Sequence, residues 1–186
     1  MTRVVKLGGS LLSAGALPAC LDALGEWGEL LVIVPGGGEF ADQVRRSQAI
    51  RNFDDVTAHR MALLAMRQMG WLMHARRPQF QPADSVAALA EVLSAKRSAI
   101  WMPDHAELDA AGVEASWEVT SDSLAAWLAG RLGADELILV KSAEVADDTD
   151  IGRLIGQGIV DSAFGRYSRD AGYRIRVIHQ ASFINA

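Results

Sequence analysis

The sequence predicts an α/β protein in which a mostly parallel sheet carries helices on both faces. Three observations lead there. Short apolar runs recur at 4–7, 30–34, 98–102, 137–140 and 174–179, the length and Val/Ile/Leu content of strands buried on both sides. Segments of helical periodicity separate these runs. Glycine, proline or a charged group stands at the carboxyl end of several runs, the place where ligands collect in a parallel sheet. Strands alternating with helices require crossovers over the sheet, which makes the sheet parallel. The 186 residues suffice for one domain, taken as 1–186, with a sizeable core.

Val4-Val5-Lys6-Leu7 reads as the first buried strand, followed at once by Gly8-Gly9-Ser10. A lysine inside such a strand is costly unless its ammonium meets an anion. The glycines let backbone N–H groups approach a phosphate. A tight turn with a snorkelling lysine explains this fragment equally well, and GxxxxGK[ST] is absent. A helix over 17–27 follows, with Pro18 in its first turn. Leu30-Leu31-Val32-Ile33-Val34 is the second strand, ended by Pro35 and followed by Gly36-Gly37-Gly38. Glu39 then opens a helix, whose N-terminus suits an anion. Residues 36–41 also fit G-x-G-x-x-A, but no strand precedes the acidic Asp54 and Asp55 ~20 residues on, so a nicotinamide cofactor is discounted.

A long helix is predicted over 57–76, with Met61, Ala65, Met69 and Leu72 as its apolar stripe, Leu64 beside it and Gly70 as a weak point. His59, near its start, could reach a site but reads better as a satisfied surface group. Asp84-Ser85 caps a helix over 86–95, and 98–102 is a strand closed by Pro103. Thr120, Ser121, Asp122 and Ser123 are all capping types ahead of a helix with Leu124, Leu128 and Leu132 on one face and Gly133 as its stop. Leu137-Ile138-Leu139-Val140 is a further buried strand that delivers Lys141 and Ser142 at its end. Residues 143–150 read as an acidic loop in which Asp147, Asp148 and Asp150 form a solvated run rather than a metal site. A helix over 161–167 and a last strand over 174–179 complete the chain.

The net charge of −5 argues against non-specific nucleic-acid or membrane-surface binding. Cys20 is the sole cysteine, so neither an internal disulfide nor a multi-cysteine metal site can form; it reads as a small core residue. No apolar run reaches the ~18 residues of a membrane span. A strand pattern at Val4 leaves no signal-peptide pattern, and a cytoplasmic location is expected. The chain has three lysines, Lys6, Lys96 and Lys141; two of them follow apolar strand runs. Lysines, free N–H groups and a carboxylate at the ends of parallel strands suit phosphoryl transfer, which needs positioning and positive charge. No Ser–His–acid or HExxH pattern supports hydrolase chemistry.

Val5-Lys6-Leu7-Gly8-Gly9-Ser10, Val34-Pro35-Gly36-Gly37-Gly38 and Thr120-Ser121-Asp122-Ser123-Leu124-Ala125-Ala126 resemble the amino acid kinase superfamily. Together they cover most of the chain in the right order. The resemblance implies a three-layer αβα sandwich, ATP with Mg2+ as donor, a small anionic acceptor and homo-oligomeric assembly. It implies that Lys6 stabilises the moving phosphoryl group, that Gly8, Gly9 and Ser10 hold nucleotide phosphates, and that Gly36, Gly37 and Gly38 cover the acceptor and γ-phosphate. Asp122 would orient the lysines, Lys141 would lie near the nucleotide, and Thr120 and Ser121 would bind the acceptor. Ala58-His59-Arg60-Met61-Ala62 and Ser116-Trp117-Glu118-Val119-Thr120-Ser121-Asp122-Ser123 resemble, more narrowly, the small kinases that phosphorylate an aminomethylfuran-methanol phosphate in methanopterin and methanofuran biosynthesis. Many superfamily members carry a second catalytic lysine near the C-terminus, and no lysine follows Lys141. Either Lys141 or an arginine such as Arg166 takes its place, or activity is weak or lost. A kinase, a uridylate kinase-like enzyme included, and a nucleotide- or oxyanion-binding relative without turnover therefore both stay open.

Overall fold

In the computed structural model, which describes residues 1–145 and 150–185, β1 (Thr2–Leu7) runs through the middle of the sheet. It is flanked by β2 (Leu30–Pro35) on one side and β5 (Glu136–Lys141) on the other. β3 (Gln81–Ala83), β4 (Ala99–Trp101) and β6 (Arg174–His179) complete the order β3-β4-β2-β1-β5-β6, and every pairing is parallel. The helices are α1 (Ser10–Ser13), α2 (Leu17–Glu26), α3 (Gly38–Arg51), α4 (Asp55–Arg76), α5 (Val86–Ser94), α6 (His105–Ala110), α7 (Ser121–Leu132), α8 (Ile151–Gly156), α9 (Phe164–Ser168) and α10 (Gln180–Ile184). They cover both faces, giving the three-layer sandwich.

Strand parity decides what meets what. Successive side chains of a strand point to opposite faces. Val4, Leu137 and Leu139 enter one core with Leu124, Ala125 and Leu128 of α7. Val5, Leu7, Ile138 and Val140 enter the other with Leu21 and Leu24 of α2 and Met69 and Met73 of α4. Lys6 shares the parity of Val4, and Lys141 that of Leu139. Both lysines therefore emerge on the α7 face at the carboxyl ends of neighbouring strands.

Several expectations need correction. Of the predicted stripe of α4, Ala65 and Met69 are buried, together with Leu63, Met66 and Met73, whereas Met61, Leu64 and Leu72 are exposed. This helix is apolar on two sides, and β2 and β4 select one of them. Gly70 is not a weakness: a Cβ there would collide with the Met102 sulfur and press on Ile100, so the glycine lets α4 sit close to the sheet. The helix predicted over 161–167 begins only at Phe164. β3, which contains Pro82, and α6 are short elements without a periodic signal. Asp147 and Asp148 lie outside the described residues, and Asp150 caps α8 by accepting the Arg153 N–H. Cys20 is buried as expected, and burial pushes its thiol up to about 11.

Candidate active site

The carboxyl ends of β1, β2 and β5 carry two glycine loops and two lysines. The loops touch backbone to backbone. A Cβ on Gly9 would overlap the Gly38 nitrogen, and one on Gly36 would overlap the Gly9 nitrogen, so only glycine permits this approach. Gly38 has φ +55°, in the left-handed region. Two of the N–H groups expected to face a ligand are engaged elsewhere: Gly8 N–H donates to Val140 O at 3.2 Å and Gly36 N–H to Leu7 O at 2.8 Å. These two N–H groups are therefore not available to an anion. No side chain caps α3, whose N-terminus opens beside the same loops. The Ser10 and Ser142 hydroxyls, from the ends of β1 and β5, lie 2.8 Å apart.

Lys6, Asp122 and Lys141 meet as one buried group. Lys6 Nζ lies 2.8 Å from Asp122 Oδ1, and Lys141 Nζ donates to Oδ1 and Oδ2 at 2.8 and 2.7 Å. Asp122 and Lys6 are 5% and 4% exposed, which makes this a charged cluster inside the protein rather than a surface pair. Burial on its own would raise the Asp122 carboxyl, but Lys6 and Lys141 together outweigh it and hold the carboxyl below its usual range. Burial lowers Lys141 to about 8; repulsion from Lys6 adds to this and Asp122 partly offsets it.

Asp122 is not the cap of α7. Thr120, the N-cap residue, makes no side-chain cap bond. The cap is Asp161, far along the chain. Its Oδ2 accepts from Thr120 N–H at 2.9 Å, Thr120 Oγ1–H at 2.7 Å and Ser123 N–H at 3.1 Å, and its Oδ1 accepts from the Ser123 hydroxyl. With the first turn held from outside, the Asp122 side chain turns to the lysines. The sequence reading missed Asp161; its only signal was an aspartate just after the apolar pair Ile159-Val160.

Two cavities open at this end of the sheet. One, of about 280 Å3, is lined by Gly9, Gly37, Gly38, Thr120 and Ser121, with Glu39, Asp42 and Arg45 of α3 and His59 of α4. The other, of about 620 Å3, holds Asp122, Lys141, Ser142 and Gly158. His59 is therefore no surface group. It is 5% exposed, its Nδ1 donates to Ser116 O at 3.2 Å, and burial lowers it, leaving it neutral. Arg166 does not join the lysines; it pairs with Glu114 at 2.8 Å on the surface. Among nearby carboxylates, Glu39 lines the smaller cavity, whereas Asp54 caps α4 and Asp55 accepts from Gln48. Among the described residues no group of three or more His, Cys, Asp or Glu converges to hold a metal ion. Lysine ammonium groups hold Asp122, so its carboxylate is not free to ligate a metal ion. No helix among the described residues is long and apolar enough to cross a membrane.

The fold is shared with solved kinases. The chain superposes on the uridylate kinase of Archaeoglobus fulgidus with a TM-score of 0.77 at 17% identity, over 99% of this chain and 94% of that one. For the UMP kinase of Ureaplasma parvum the TM-score is 0.69 at 14% identity, over 96% and 89%. A [5-(aminomethyl)furan-3-yl]methyl phosphate kinase of Methanocaldococcus jannaschii is 30% identical over 144 residues, 76% of this chain. The match spans 66% of that relative's length. The model of the amino acid kinase family matches residues 1–184, and the chain belongs to that family.

Proposed function

We propose that the protein transfers the γ-phosphoryl group of ATP to a small anionic acceptor, an aminomethylfuran-methanol phosphate being the first choice. The observation that carries this is the buried Lys6–Asp122–Lys141 cluster, which borders the larger of two cavities at the carboxyl ends of β1 and β5. The larger cavity takes the nucleotide, with Ser10 and Lys141 on its phosphates and Gly9 reaching them from the wall of the smaller cavity; Gly8 contributes by letting the backbone pack. The smaller takes the acceptor against Gly37, Gly38, Thr120 and Ser121. Lys6 and Lys141 face the charge that develops on the moving group. Mg2+ bound to the nucleotide would neutralise further phosphate charge.

An oxygen of the acceptor forms the new bond to the γ-phosphorus while the bond to the β–γ bridging oxygen breaks, its electron pair leaving on ADP. Asp122 is no base for this step, because ammonium groups occupy its carboxylate. An acceptor phosphate or carboxylate needs none, since its oxygen is already ionised; this supports the anionic class. Glu39 and Asp42 on the acceptor side suit an amine on the same molecule. The choice of the furan compound rests on the likeness to the Methanocaldococcus jannaschii enzyme. The likeness of fold to uridylate kinases keeps a nucleoside monophosphate as second acceptor. ADP release measured with the furan phosphate, UMP, acetylglutamate and carbamate decides among them. Turnover only with an uncharged alcohol would refute the anionic class, and none with any acceptor would favour the binding relative without turnover. The same reading includes one domain over 1–186, a cytoplasmic setting and a homo-oligomer. The exposed Leu64 and Trp71 of α4 support the last point, and sedimentation of a Trp71→Glu variant tests it.

A further inference from the structure

One cation borders both cavities. Arg45, on the α3 face that also presents Gly38 and Asp42, lines the acceptor cavity and the nucleotide cleft alike. Its guanidinium carbon lies 3.8 Å from the centre of the Trp117 ring. The ring is pinned in turn: Trp117 Nε1–H donates to Gln48 Oε1 at 2.6 Å, and the Gln48 amide donates to Phe53 O at 3.1 Å and Asp55 Oδ1 at 2.8 Å. Among the described residues no carboxylate stands within ion-pair distance of Arg45, whereas Lys6 and Lys141 are tied to Asp122 and Arg166 to Glu114. A guanidinium stacked on an aromatic face keeps its N–H donors in a planar fork that matches phosphate.

We propose that Arg45 is the phosphoryl-bridging cation of this site: from its shelf on Trp117 it binds the phosphate of a phosphomonoester acceptor where that phosphate meets the γ-phosphoryl group of the nucleotide. The inference rests on the kinase reading and supplies the positive charge that no lysine after Lys141 provides. In the step it serves, a phosphate oxygen of the acceptor bonds to the γ-phosphorus, the β–γ bridging bond breaks onto ADP, and no proton moves. Arg45 contacts both the attacking and the transferred group, and so opposes the repulsion between two anions brought together.

Calorimetric titration of inorganic phosphate into protein saturated with MgADP tests this without turnover. Arg45→Met raises the half-saturating phosphate concentration about tenfold or more, as loss of a charge-assisted fork does, and leaves the ADP dissociation constant within about twofold. Arg45→Lys retains part of the affinity, and Trp117→Leu weakens it with Arg45 in place. Unchanged phosphate binding in Arg45→Met, an equal loss of ADP affinity, or no saturable phosphate binding by the wild type would each overturn the inference. If the kinase reading alone fails, the phosphate response persists while ADP release is absent with every acceptor.

Discussion

Lys141 offers the sharpest quantitative test, because its depressed pKa couples nucleotide binding to pH. Burial, then Lys6, lower it to about 8 in the free protein. A polyphosphate beside the ammonium favours the charged form and raises this value in the complex. Affinity is therefore full below pH 8 and falls as pH rises through it, about tenfold per unit until the pKa of the complex is reached. Between pH 7.5 and 9.5 the fraction of free protein with Lys141 charged drops about 25-fold, equivalent to about 1.9 kcal/mol of binding. Nucleotide phosphates, with a second pKa near ~6, are already ionised over this window. Stability has the opposite sign. The folded pKa lies below the ordinary lysine value of 10.5, so the unfolded chain holds more protons between about 8 and 10.5 and Lys141 contributes a rise in stability across that range. Calorimetric ATP titrations of wild type and Lys141→Met at both pH values decide the matter. Wild type loses roughly 25-fold; the variant binds weakly and without that slope; Arg166→Ala resembles wild type. Parallel pH curves for wild type and Lys141→Met would refute the reasoning.

Lys6→Met should leave the melting temperature near that of wild type, because the thioether fills the buried stem and Lys141 still pairs Asp122, while turnover falls ~10²-fold or more; near-normal turnover would remove Lys6 from the reaction. Asp122→Asn leaves two buried ammonium groups facing each other. Turnover should fall more than ATP affinity, and stability should drop by up to about 3 kcal/mol, eased by deprotonation of Lys141; both are readable from ADP release and thermal melts. Gly9→Ala forces a methyl into the Gly38 backbone, with an expected loss of about 1–3 kcal/mol by urea denaturation and weaker nucleotide binding. An unaltered urea midpoint would mean that the two glycine loops do not pack as described.

What the sequence made legible was local. A lysine within Val4-Val5-Lys6-Leu7, glycines directly after two strands, and Lys141 after a third are each written in consecutive residues, and parity carries both lysines to one face. The αβα architecture followed from the same pattern. Residues whose role depends on distant contacts were harder to read. Asp161 caps α7 across a gap of roughly forty positions in sequence, so the capping types at 120–123 pointed to a local cap that is not used. His59 looked like a surface group because nothing nearby in sequence reveals that α4 turns it toward the cavity. Arg166 suggested itself by position alone, and Glu114 had already engaged it. Arg45 was within reach: Gly38, Asp42 and Arg45 share one face of α3 by helical spacing, which a search restricted to strand ends passes over.

The charge count of the cluster is the physical argument for the proposed phosphate site. Two ammonium groups around one carboxylate leave a net positive charge in a largely buried position, and such a charge is costly when nothing answers it. The lowered pKa of Lys141 is that cost expressed in the free protein. A purely structural role would be better served by one lysine, since an even pair satisfies the carboxylate without surplus charge. A nucleotide phosphate removes the imbalance and strengthens every interaction around it, because the low local dielectric that penalises the unpaired charge also amplifies its attraction to an anion. Asp122 keeps the lysines from drifting apart under mutual repulsion and from pairing elsewhere, so they stand oriented before the ligand arrives. Preorganised positive charge that requires no rearrangement during the step is what transfer of a phosphoryl group demands. The parity of β1 and β5 on either side of a shared α7 face is the simplest way for a parallel sheet to provide it.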